Sequence, residues 1–266
     1  VVRLGGFGEA GRGDRDVGTH TVGAGIMIHV DDQYRPIQKY LLDMADDIVG
    51  KDRPQSFNFH ATDLWSGKNF FPKDKWKLET RLRILGYLAD IPGKFEIPIL
   101  YSCAERSRFP PKRPNIRQSR ASAARTLHSA VFLSALTLTD RYVREAHPGE
   151  RVLAIVEDHP DHRGMLKTAA RLMSNPRLVE VIENDPNVDW DPIREFVDEP
   201  HFVRKSGSSP LQVADTCAFI LSKHFAGNDP HIAPFVDRIK GNLPSGLHDQ
   251  FIKPSGRGRK SNISTS

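Results

Sequence analysis

The chain has 266 residues, a formal net charge of +5 and 38% hydrophobic residues, with a mean hydropathy of -0.46 and a pI near 9.2. That length supports one large α/β domain or two small ones with a real core, and no apolar run reaches the ~18 residues of a membrane span, so neither a transmembrane helix nor a membrane partner is expected. Two cysteines, Cys103 and Cys217, are too few for a disulfide scaffold; each sits in an apolar context and reads as a core residue of a cytoplasmic protein.

Residues 1–6 lack the charged and apolar regions of a signal peptide, and the absence of an initial Met points to a start inside a longer reading frame or to a processed chain. Residues 1–7 predict a first strand, 11–18 a polar glycine-containing turn, and 21–30 a near-continuous apolar strand of the kind buried on both faces. Residues 33–49 carry helical spacing, with Ile37, Tyr40, Leu41, Met44, Ala45 and Ile48 on one stripe. A short extended piece, 57–60, leads into Asp63, and a second amphipathic helix spans 75–90. Residues 95–103 predict a strand, 106–119 a basic, proline-rich loop, and 120–145 a long helix ending before His147-Pro148-Gly149. Another buried strand is expected at 151–156, a short helix at 164–173, and a last strand near 200–203. Residues 208–225 predict a strong helix, capped by Ser209 with Pro210 in its first turn. From about 254 the sequence reads as a disordered basic tail. A hairpin followed by alternating helices and strands predicts an α/β fold: one mixed sheet with helices on both faces.

Acidic residues punctuate these elements. Glu9 follows the first strand among small neighbours. Asp63 closes Phe59-His60-Ala61-Thr62-Asp63, where a helical turn puts His60 and Asp63 on one face. Glu157 and Asp158 end the strand Val152-Leu153-Ala154-Ile155-Val156, and strand alternation allows only one of the two into a shared site, with Glu157 preferred. Asp215 lies on the buried stripe of the helix from 208. A carboxylate in such a place is costly unless it is paired or holds a metal. Two bare carboxylates about 4 Å apart repel by roughly 4 kcal/mol at an effective dielectric of 20. Remote acids brought together therefore point to a divalent cation, Mg²⁺ or Mn²⁺, and to phosphoryl-transfer chemistry. A zinc reading of His159 and His162 lacks clear further partners.

Ser209-Pro210-Leu211-Gln212-Val213-Ala214-Asp215, followed by an apolar helix, resembles a signature of the bacterial and phage family called "domain of unknown function 3800". Phe59-His60-Ala61-Thr62-Asp63 and Val152–Asp158 are similar to two further stretches of that family. Gly8-Glu9-Ala10-Gly11 falls where the family carries an Asp-Glu-Ser-Gly motif. The likeness runs over residues 1–226. It implies a ribonuclease-H-like mixed sheet flanked by helices in 1–226, leaving 227–253 as an extension and 254–266 as the tail. It also implies a metal-dependent nuclease. Asp63, Glu157 and Asp215 would be catalytic, with His60 orienting a ligand or assisting proton transfer. Metal ligands would come from Glu9, Asp63, Glu157, Asp158 and Asp215. One departure stands out: the family's leading Asp is here Gly8, and Glu9, one position on, is turned to the other face by alternation unless a bulge intervenes.

Arg106, Arg108, Lys112, Arg113 and Arg117 crowd the basic loop and are the candidate nucleic-acid contacts. Three readings stay open: a metal-dependent nuclease, a catalytically degenerate domain that binds nucleic acid or a protein partner, and an acid network that only stabilises the fold.

Overall fold

A computed structural model describes residues 1–11, 19–108, 117–177, 179–180, 192–227 and 229–244. Five strands form one mixed sheet: β1 (Val2–Ala10), β2 (His20–His29), β3 (Ile99–Glu105), β4 (Arg151–Glu157) and β5 (His201–Val203), in the order β3-β2-β1-β4-β5. β1 and β2 pair antiparallel from Arg3 opposite His29 to Ala10 opposite Val22. β2 and β3 are also antiparallel, whereas β4 is parallel to β1 and β5 to β4. β1, β3, β4 and β5 thus run one way, and their carboxyl ends share one edge of the sheet.

Alternation along each strand sorts side chains to two faces. Leu4, Val22, Ala24, Ile26 and Ile28 enter a large core with α1 (Arg35–Ile48), α3 (Leu78–Ala89) and α7 (Ser209–Ala226). Phe7, Ala154 and Val156 enter a second core with α5 (Arg117–Ala146) and α6 (Pro160–Met173). The layers are therefore helix, sheet, helix. Asp140 on α5 is fully buried. Its carboxylate accepts the backbone N–H groups of Arg194 (2.8 Å) and Glu195 (2.6 Å). The neighbouring Phe196 bridges to Val152 of β4, so this acid fastens the outer edge of the sheet to α5.

The sequence places most elements to within a few residues. α6 starts at Pro160 rather than 164, because proline suits a first helical turn that has no use for its missing N–H. α5 starts at Arg117 rather than 120. The N-cap of α7 is Ser208, whose side chain accepts Leu211 N–H (3.4 Å), one residue before the expected cap. α2 (Ala61–Ser66), α4 (Ile91–Lys94) and α8 (Ala233–Ile239) are too short for a periodic signal. The tail at 254–266 lies outside the described residues. No helix among the described residues is long and apolar enough to cross a membrane.

One close approach sets the geometry of the larger core. α7 lies almost directly on β1. A Cβ at Gly6 would come within 2.8 Å of Pro210 Cβ, and one at Gly8 within 2.4 Å of the backbone N of Asp215 and 2.5 Å of the carbonyl carbon of Ala214. Backbone atoms inside a helix cannot yield as a flexible side chain would, so these two positions require glycine. Gly164 on α6 is the opposite case, with nothing near its absent Cβ. Gly8→Ala is expected to destabilise the protein by about 1–3 kcal/mol through overpacking. Gly164→Ala is expected to stabilise it by about 0.4–1 kcal/mol. Urea midpoints measured at constant slope give both values, and equal effects at the two positions would contradict the packing described.

Candidate functional site

The residues that gather at the carboxyl edge of the sheet come from four places in the chain. Phe57, Phe59 and Phe71 pack together, with centroids of Phe57 and Phe59 5.1 Å apart, and carry the extended segment that delivers His60. α2 follows at once, with Asp63 in its first turn. Buried Arg81 of α3 fixes that helix by donating to the carbonyls of Leu64 (2.6 Å) and Trp65 (2.9 Å). A cation on the last carbonyls of a helix also complements its dipole.

α7 stitches the remaining pieces together. Gln212 accepts the backbone N–H of Phe59 through Oε1 (3.0 Å) and donates from Nε2 to the carbonyl of Lys205 (3.4 Å). Asp215, 6% exposed, accepts the backbone N–H of Ala61 through Oδ2 (3.3 Å). Its Oδ1 accepts from the ammonium of Lys205 at 2.8 Å. The same ammonium lies 3.2 Å from Oε2 of Glu157 at the end of β4. His60 stands between two acids, with Nδ1 3.2 Å from Asp63 Oδ2 and Nε2 3.7 Å from Asp215 Oδ1. Folding thus joins His60, Asp63, Glu157, Asp215 and Lys205 in one partly buried cleft: three carboxylates, one ammonium and an imidazole.

The other sequence candidates are placed elsewhere. Glu9 points to the face of α5, where its carboxylate meets Nε2 of His128 in a buried pair. It shares that face with Phe7, two residues before it, and β1 continues to pair through Ala10 without a bulge. Asp158 faces Arg163 of α6 at 3.5 Å rather than the cleft. Alternation accounts for this: Glu157 shares the α7 face with Ile155, and Asp158 takes the other. Arg106 begins a short 3-10 turn, Arg106–Arg108, directly after β3, and its Nε donates to Thr21 Oγ1 (3.3 Å). Arg117 opens α5, while Lys112 and Arg113 lie outside the described residues. His159 is the N-cap residue of α6.

Lys205 is the cleft residue that the sequence reading missed. It stands on a 3-10 turn, Lys205–Gly207, between β5 and α7, and its residue type alone marks nothing. The available signal was charge balance, since several acids converging on one helix require a counter-cation nearby.

Lys205 also decides whether the cleft as arranged fits a divalent ion. Mg²⁺ is held by carboxylate oxygens at about 2.0–2.1 Å, and here an ammonium lies between the two carboxylates that would supply them. Asp63 is turned to His60. β1 contributes no acid to this cluster, because Gly8 has no room for a side chain and Glu9 is turned to His128 of α5. Among the described residues no group of three or more His, Cys, Asp or Glu side chains is arranged to hold a metal. The arrangement does not fit the metal that the sequence resemblance implies.

Protonation of the cleft follows from these contacts. Burial of the His60 ring works against its charge, but the hydrogen bond with Asp63 and the nearby charge of Asp215 outweigh burial and raise its pKa above the ordinary 6.5. Burial pushes the Asp63 carboxyl up, but its hydrogen bonds with His60 and Asn69 and the charge on His60 outweigh that and hold it below 3.8. The raised imidazole adds stability that is complete below its unfolded value and is lost as pH rises through its folded value. The depressed carboxyl adds stability above its unfolded value that is lost as pH falls through its folded one.

No family model matches the chain, and no curated protein matches it.

NMR titration of the His60 ring should give a midpoint above 6.5, and Asp63→Asn should lower that midpoint because burial then acts with less opposition. A midpoint unmoved by the substitution would mean that the His60–Asp63 contact carries no charge coupling.

Proposed function

We propose that residues 1–226 form a ribonuclease-H-like domain of the kind represented by the domain-of-unknown-function-3800 family, one that binds nucleic acid at the carboxyl edge of its sheet without cutting it. The position of Lys205 carries this reading. An acid cluster in which an internal ammonium bridges two of the carboxylates keeps its fold but lacks the open cation site that metal-assisted phosphodiester hydrolysis needs. Gly8 supports the same conclusion from the other side of the cleft, since the acid-bearing strand position is filled by the backbone of α7.

The fold supports the class, in that a mixed sheet with helices on both faces suits what the motifs imply. Charge supports the partner. The chain carries +5 overall, and the basic segment from Arg106 starts where β3 ends, on the sheet edge that also holds Glu157 and Lys205. Ligands of open α/β sheets bind beyond the carboxyl ends of the strands, and arginines there would grip phosphates without reading sequence.

A second reading, a Mg²⁺- or Mn²⁺-dependent nuclease, is favoured by one observation: Asp63 and Asp215 flank a single imidazole, and Glu157 is joined to Asp215 through one ammonium. It requires Lys205 to leave the cleft.

Fluorescence anisotropy with a labelled single-stranded RNA and a DNA duplex tests the proposal. Binding is expected to weaken at least tenfold between about 50 and 200 mM salt, and the double variant Arg106→Ala, Arg108→Ala should reduce the salt slope by about 2. The same oligonucleotides should stay intact with either metal. Cleavage that vanishes in chelator and in Asp215→Asn would establish the second reading instead, and affinity indifferent to salt would remove nucleic acid as the partner.

A further inference from the structure

The ammonium of Lys205 does more than balance charge. It sits 2.8 Å from Asp215 Oδ1 and 3.2 Å from Glu157 Oε2, and its side chain is only 9% exposed. A lysine so deeply placed is disfavoured unless its charge is met by acceptors. Both its main chain and its side chain are fixed by α7. The carbonyl accepts from Gln212, and the ammonium donates to Asp215 one helical turn further on. Glu157 reaches the same nitrogen from β4, the strand beside β1. The ammonium is therefore held from the helix and from the sheet at once, as a bridging ion would be.

We propose that Lys205 is the resident cation of this cleft, a covalently attached substitute for a divalent ion, and that removing it converts the cleft into a divalent-metal site built from Asp215 and Glu157, with Asp63 and His60 alongside. This inference rests on the cleft geometry and is independent of whether the protein binds nucleic acid.

The chemistry is specific. A lysine ammonium has three N–H donors and a single charge. It satisfies one oxygen of Asp215 and one of Glu157 while excluding an ion from the space between them. Truncating the side chain removes the ammonium that lies between the carboxylates of Asp215 and Glu157. Hard oxygen donors of that type suit Mg²⁺ and Mn²⁺. The Glu157 side chain is itself 30% accessible, which gives an ion and its remaining waters a way in.

The experiment compares full-length wild type with Lys205→Ala and Lys205→Gln, using Mn²⁺ alone as the probe. Isothermal titration should show no stoichiometric uptake by wild type, and the melting temperature of wild type should be the same in Mn²⁺ and in chelator. Lys205→Ala should bind about one Mn²⁺, with an affinity at least tenfold above any residual wild-type uptake, and should melt higher as Mn²⁺ is added. Adding Asp215→Asn to Lys205→Ala should abolish that uptake. Lys205→Gln keeps a donor in the space, carries no charge, and should fall between. If Lys205→Ala unfolds without metal, recovery of a folded protein in Mn²⁺ but not in chelator supports the substitution. Three results overturn it: stoichiometric Mn²⁺ binding by wild type, folded variants that take up none, or variants that cannot be recovered folded even with Mn²⁺ present.

Discussion

The backbone of α7 lies against β1 with nothing between them but two glycines, and most of the functional geometry follows from that contact. Because Gly6 and Gly8 have no side chains, the first turns of the helix come down onto the middle of the sheet. Asp215 is thereby buried beside the ends of β1 and β4 instead of on a solvated helix face. The same contact bars an acid at position 8 of β1, since a side chain there would have to occupy the helix backbone. One packing contact buries the Asp215 carboxylate and closes position 8 of β1 to any side chain.

The rest of the cleft is a response to that buried charge. Asp215 draws on a backbone N–H from Ala61, the ammonium of Lys205 and the imidazole of His60. Gln212, one turn earlier, ties the two segments that supply them to the same helix. Leu-Gln-x-Ala-Asp is in this chain a pair of polar staples on the buried half of α7. Both polar residues point where two loops need hydrogen-bonding partners, so the motif has a structural use whether or not chemistry takes place.

Much of the fold was legible in the sequence because it depends on local pattern. Thr21 to Val30 reads as a buried strand, and Ile37, Leu41, Met44 and Ala45 read as a helical stripe. Strict alternation after Val156 sends Glu157 and Asp158 to opposite faces. The parts that stayed hidden depend on contacts between distant segments. Nothing near Lys205 in sequence says that its ammonium will lie beside Glu157, since that pairing exists only once β4 and β5 are side by side. Nor does Glu9 reveal that it will meet His128 on α5. The short helices α2, α4 and α8 hold too few turns to leave a period. Arg81 gives no sign, as an ordinary residue of an amphipathic segment, that it will cap α2 from below.

The outer margin of the sheet carries its own consequence. β5 has three residues, and the pairing of β4 beyond it is taken up by a single bridge at Phe196. Between the two stands Pro200, which has no N–H to offer. Among the described residues, a ladder broken in this way presents no continuous row of donors and acceptors to another chain. Molecules of this protein are thus poorly equipped to join strand to strand along that border, and the interruption guards against fibrous self-association at high concentration.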